Sequence, residues 1–233
     1  MAKFDLQKTA RVLDLFKVPS EERDGAWQAR FYEAVVDASF AAPPDQVIRG
    51  PDGFPYFVLQ TPPEAAEFSP FCISHVLEHC TDHGIGIVLN PGPQSADWVF
   101  SFGALWSLRA YGRFEGDPGD EQPDSPPGDE VLPADRSVVV GSPSEEYLPG
   151  FARAALRGFL SQAVGVGEPQ VFVLLDPSMR PSRSLIFNVF PEDFPSEADF
   201  RHVLQLLHWF LPPGRGLIGL SREAELGKAF RPL

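Results

Sequence analysis

"QVFVLLDPSMRPSRSLIFNVF", residues 170–190, holds two apolar runs of strand length around a turn-rich centre. Val171, Val173, Leu175, Leu185, Phe187 and Val189 share one alternation, and Phe172, Leu174, Ile186 and Phe190 share the other, interrupted only by Asn188. Period-two patterning on either side of Pro and Ser reads as two adjacent strands. Because both alternations are apolar, both faces of these strands are expected to be covered.

The elements on either side extend the pattern. "SVVVGS" (137–142) reads as a strand, and residues 148–162 as a helix with the stripe Leu148, Phe151, Ala152, Ala155, Leu156, Phe159 and Leu160. Ser196 followed by Asp199 resembles a capping box, opening a helix that buries Phe200, Val203, Leu204, Leu207 and Leu211. "GLIGLS" (216–221) closes the series as a last strand. The order βαββαβ predicts a ferredoxin-like split sheet with both helices on one face. The other face is then expected to be covered by the N-terminal half of the chain or by another copy of it.

Upstream, "DLQKTARVLDLF" and "SEERDGAWQARFYEAVVDASF" read as helices, the second capped by Ser20 and striped by Trp27, Phe31, Ala34, Val35 and Ala38. Short strands "QVIRG" and "FPYFVLQT", a helix over about 71–82, a strand "GIGIVLN" and a strand–helix pair in "DWVFSFGALWSLRAYG" follow. The chain is therefore expected to be α+β. A mixed α/β module spans 1–114, a linker 115–135, and the βαββαβ module 136–233. The linker carries eight acidic residues, no basic one, and several prolines and glycines. Such a segment repels itself and buries little, so it is expected to be an exposed connector.

Composition narrows the function classes. Nineteen basic residues face 32 acidic ones, a formal net charge of −13. That balance argues against nucleic-acid binding, which needs a basic footprint, and against an anionic membrane surface. The longest strong apolar run is "VFVLL" at 171–175, far short of the roughly 20 residues of a membrane span. Two cysteines make no disulfide framework, and the N-terminus has no signal-peptide core, so the protein is expected to be cytoplasmic.

The strongest chemical motif is "HVLEH" at 75–79, the H-x-x-E-H spacing in which two histidines hold zinc and the glutamate is a base. On a helix, Ile73, Val76, Leu77 and Cys80 form an apolar stripe, and His75, Glu78, His79 and Asp82 share another face. A catalytic zinc would also need a third ligand, for which Glu145 and Glu146 are the downstream acids. His75, Glu78 and His79 are thus weak metal candidates, and no cofactor is expected. A phosphate-binding P-loop, a Gly-x-Ser-x-Gly elbow and a Cys-x-x-Cys pair are all absent. Arg153 and Arg157, four apart on a helix, are candidates to receive an anionic ligand or an acidic segment such as 115–135 itself. Trp209 is a candidate contact anchor. His202 and His208 read as a solvated face.

Two stretches resemble a known family. "GIGIVLNPGPQSADWVFSFGALWSL" is similar to the N-terminal module of the enhanced serine sensitivity (SseB) family, where a strand ends in Asn-Pro-Gly before a short strand and helix. "VVVGSPSEEYLPGFARAALRGFL" resembles the start of that family's C-terminal module. The resemblance implies a bacterial, cytosolic protein and carries over no catalytic residue. The function expected first is a non-enzymatic protein-interaction or regulatory module, bound to a protein partner or to itself and linked to amino-acid metabolism. The alternative is a small-molecule, amino-acid-binding sensor with a site between the modules or beside the sheet. The third is a metal-dependent hydrolase built on His75, Glu78 and His79.

Overall fold

The computed structural model describes residues 5–62, 69–93, 95–117 and 138–233. The fold is α+β, and the chain divides into two units, Met1–Leu105 and Trp106–Leu233. This boundary differs from the expected one at 114, because Trp106 and Phe114 are buried side chains of the second unit. Of the expected linker, residues 118–135 lie outside the described residues.

In the first unit, α1 (Leu6–Phe16) is capped by Asp5, whose carboxylate accepts from the backbone of Gln7 and Lys8. Helix α2 (Gly25–Val35) starts later than expected, because Asp24 and not Ser20 supplies the cap, accepting from Trp27 N at 2.7 Å. Ser20–Glu22 forms a separate 3-10 turn. The expected stripe of α2 is buried: Phe31 stacks on Trp27 (5.1 Å) and packs against Trp98 (4.7 Å) and Phe100 (6.1 Å). Strands β1 (Phe40–Ala41) and β4 (Pro70–Phe71) pair with each other. The main sheet joins β2 (Val47–Arg49), β3 (Pro55–Leu59), β5 (Gly86–Pro91) and β6 (Ala96–Phe100) in the order β2-β3-β5-β6. Strands β3 and β5 are parallel, which requires a crossover, and α3 (Ile73–Asp82) supplies it. Asn90 holds a φ of +48° at the end of β5. Its side chain accepts from Thr61 N (2.7 Å) and donates to Asp97 (2.7 Å), which fixes the Asn-Pro-Gly turn. Helix α4 (Phe102–Tyr111) follows β6 and carries the boundary, its residues from Trp106 onward belonging to the second unit.

The second unit contains β7 (Val139–Gly141), α5 (Gly150–Phe159), β8 (Gln170–Leu175), β9 (Arg183–Phe187), α6 (Glu197–His208), β10 (Gly216–Leu217) and β11 (Arg231–Pro232). The expected cap of α6 forms, with Ser196 Oγ accepting from Asp199 N and donating to its carboxylate. Helix α5 continues into a π turn, Leu160–Val164, that ends at Gly165 in the left-handed region (φ +87°).

The βαββαβ order is present, but the sheet is not the split one expected. In a ferredoxin-like sheet the first strand sits between the third and the fourth. Here β9 pairs directly with β10, in parallel, while β7 pairs antiparallel with β8. Element lengths explain the difference. The hairpin of six-residue β8 and five-residue β9 carries most of the ladder, and β7 and β10, three and two residues long, sit at its edges. The outer edge of β8 is shared: β7 covers Val173–Leu175 and β11 covers Gln170–Val171.

The cover of the second sheet face is also different from either expectation. Phe172, Leu174 and Ile186 are fully buried, against Val138, Met179, Ile218, Leu220, Leu226, Ala229 and Phe230. The covering side chains thus come chiefly from residues 218–230 of the same unit, and neither α5 nor α6 contributes to this cluster among the described residues. Phe230 meets Phe172 edge-on at 4.8 Å and Phe190 at 6.0 Å. Each fully buried side chain of this size contributes roughly 1.5–3 kcal/mol relative to an exposed one, so the covering segment is an integral layer of the unit.

Candidate functional site

The "HVLEH" residues lie where the helical reading puts them. Ile73, Val76, Cys80 and Thr81 form the buried face of α3, and His75, Glu78 and His79 are exposed. Among the described residues no group of three or more His, Cys, Asp or Glu side chains is arranged to hold a metal ion. His83 meets the stretch at its end, its Nδ1 2.8 Å from the His79 carbonyl. Both cysteines are buried and outside any disulfide. Burial pushes the Cys80 thiol up to about 12, so it stays protonated at neutral pH and is a poor metal ligand. Glu145 caps α5, accepting from Gly150 N at 2.6 Å.

The arginines singled out in α5 are tied to backbone. Arg153 donates from Nε to the Leu148 carbonyl and from Nη2 to the Pro143 carbonyl, both at 2.8 Å. Arg157 donates to the Leu233 carbonyl. Trp209 is half-buried, its ring edge-on to Phe210 at 4.8 Å. His202 and His208 are exposed along α6.

Two other places in the second unit gather polar chemistry, at opposite ends of the β8–β9 hairpin. At the Gln170 end, Asn188 closes the strands: its Oδ1 accepts from Gln170 N (2.7 Å) and its Nδ2 donates to the Glu168 carbonyl (2.9 Å). The single polar interruption in the alternation was the signal for this end. Above it opens a cleft of about 480 Å³, bounded by the 164–168 turn, Phe190, Asp193, Phe194 and Arg222. A second recess of about 240 Å³, lined by Phe190, Leu220, Leu226 and Phe230, shares Gln170, Asn188, Phe190 and Arg222 with the first. Arg222 sits over the Phe190 ring at 4.5 Å and pairs with Asp193. Glu192 accepts from the Ser221 hydroxyl and from Arg222 N, and the Ser221 bond, ahead of the others, holds its carboxyl below the ordinary range.

At the other end lies a cluster that sequence reasoning missed. Arg215 is only 3% exposed. It donates to the Tyr147 carbonyl (2.7 Å) and the Tyr111 hydroxyl (2.9 Å), with its guanidinium 3.8 Å from the Tyr147 ring centre. Arg183 approaches the same ring at 4.7 Å. One oxygen of Asp117, Oδ2, lies 3.7 Å from Arg183 and 4.0 Å from Arg215. The acidic stretch therefore does meet two arginines through its described part, but they are Arg183 and Arg215, not Arg153 and Arg157.

Comparison of the chain with protein-family models, with curated proteins and with solved structures finds no match.

Proposed function

We propose that this protein is a non-enzymatic, cytosolic binding module whose second unit takes a small molecule in the cleft at the Gln170–Asn188 end of its sheet. The observation that carries this reading is the two-part hollow. A polar chamber with Arg222, Asp193 and Glu168 adjoins an apolar recess floored by Phe190, Leu220, Leu226 and Phe230. Its larger part falls within the size range of about 300–1,000 Å³ common to ligand sites. An amino acid matches that division, with its carboxylate toward Arg222, its ammonium toward Asp193 or Glu168, and its side chain in the recess. The resemblance to the SseB family supports a regulatory role in amino-acid metabolism, and the two buried thiols suit a reducing compartment.

Thermal-shift titration with a panel of amino acids, serine included, tests the reading. A ligand that binds only the folded protein raises the melting temperature by mass action, and Arg222→Ala is expected to abolish the rise. No shift with any amino acid would refute the ligand class, and a shift unchanged in Arg222→Ala would refute the site.

A protein partner is favoured by one separate observation. Val139 (65% exposed) and Leu175 (40% exposed) are paired across β7 and β8, forming an apolar, solvent-facing step at the sheet edge. Loss of partner recovery in a Val139→Lys variant would support this second reading.

A further inference from the structure

We propose that the cleft at the Gln170–Asn188 end selects a large apolar side chain, so that its ligand is an amino acid of the leucine and phenylalanine class and not serine. This inference rests on the amino-acid reading of the cleft and narrows it. Gln170, Asn188, Phe190 and Arg222 border both the polar chamber and the apolar recess. A ligand whose carboxylate meets Arg222 therefore sends its side chain straight into the recess. The recess measures about 240 Å³. A water molecule takes about 30 Å³ of liquid, so the space matches roughly eight non-hydrogen atoms. On that scale the hydroxymethyl group of serine fills about a quarter of it, and a benzyl group fills most of it.

The walls select in the same sense. Leu220, Leu226 and Phe230 line the recess and also pack on the buried Phe172, Leu174 and Ile186, so an apolar side chain placed there extends an existing core layer. The Phe190 and Phe230 rings stand at 83° to each other with centres 6.0 Å apart. A third ring beside such a pair meets them edge-on or offset, the arrangements aromatic rings prefer. Two polar side chains on the border are turned to other partners. The Ser221 hydroxyl donates to Glu192, and the Asn188 amide joins Gln170 N to the Glu168 carbonyl. A hydroxyl in the recess gives up water and meets mostly carbon in return, which is unfavourable. A packing defect would explain a hollow, but not one that opens onto a chamber bordered by the Arg222 cation and the Asp193 and Glu168 carboxylates.

The test is titration calorimetry of the full chain with glycine, alanine, serine, leucine and phenylalanine. The tighter of leucine and phenylalanine is expected to bind at least about tenfold more strongly than alanine or serine, since a single methylene in a hydrophobic pocket is worth about tenfold or more. Serine binding as strongly as both large amino acids overturns this inference and leaves the amino-acid reading standing. Absence of binding by every one of them overturns both. A second arm locates the side chain. Gly227 and Ala224 line the recess, and a Cβ added at Gly227 meets no atom within 4 Å, so Gly227→Leu and Ala224→Leu add bulk there. At least one of them is expected to weaken the tighter large ligand by about tenfold or more while changing alanine by less than about threefold. Affinity for the large ligand unchanged in both variants, or lost equally with that for alanine, overturns the proposal. Should neither variant fold, the order of affinities in the wild type decides alone.

Discussion

Phe230→Ala removes the aromatic ring that closes the second face of the C-terminal sheet. Burying a phenylalanine completely makes its truncation cost about 3–5 kcal/mol, and Phe230 is only partly buried, so the transfer and cavity part should be about half of that. The edge-on contacts to Phe172 and Phe190 add about 0.5–1 kcal/mol. A total of about 2–3.5 kcal/mol corresponds to a melting-temperature drop of roughly 6–17 °C for a unit of this size. The assay is thermal and urea unfolding by circular dichroism, together with binding of a hydrophobic dye that reports the uncovered Phe172, Leu174 and Ile186. Leu6→Ala is the control, because Leu6 is 63% exposed and its loss should stay within about 0.5 kcal/mol. A drop below about 2 °C with no added dye binding would refute the view that residues 218–230 are a structural layer of the sheet.

Two further outcomes follow from the geometry. Gly116→Ala, strained by its φ of +96° and by the overlap with Pro213, should destabilise the protein by about 3 kcal/mol or more, whereas Gly25→Ala at the start of α2, where a Cβ meets nothing within 4 Å, should be neutral or mildly stabilising; equal melting temperatures for the two variants would contradict this. The hydrogen bond between Lys8 and Asp37, 2.9 Å long, lowers the Asp37 carboxyl below 3.8 and raises the Lys8 amine above 10.5. Its contribution is therefore full between those two values, lost as pH falls through the lowered Asp37 value, and lost again as pH rises through the raised Lys8 value. Both side chains are more than a third exposed, so the contribution is below about 1 kcal/mol, and Asp37→Asn should flatten the acid limb of the stability profile; an unchanged limb would show that the pair contributes nothing.

What the sequence revealed was local. The alternations in 170–190 and the stripes of α5 and α6 are set by neighbours two to four residues away, and those positions are buried or half-buried as read except Leu175, which is 40% exposed at the end of β8. Strand order was not legible, because pairing between β7 and β8, or β9 and β10, is a competition among distant segments that βαββαβ alone does not decide. The cover of the second face was hidden because "GLIGLSREAELGKAF" interleaves charges among its apolar residues and has no single period. The Asp117 cluster was hidden for another reason: Arg215 stands in "PPGRG", a turn signal, and nothing in a string of residues marks an arginine as buried. The helical periodicity of α3 is legible in the sequence, and it separates the buried face from the exposed histidines.

The borrowed cover also has a consequence for synthesis. Phe172, Leu174 and Ile186 leave the ribosome before residues 218–230, which supply most of their shield, and Phe230 follows Ile186 by roughly 40 residues, about 2–9 s at common translation rates. During that interval the nascent sheet presents an oily, strand-edged surface to whatever is nearby. A pause in translation between β9 and residue 218 would prolong that exposure, so codon choice in this stretch should influence how much of the protein reaches its folded form instead of being captured by chaperones or lost to aggregation.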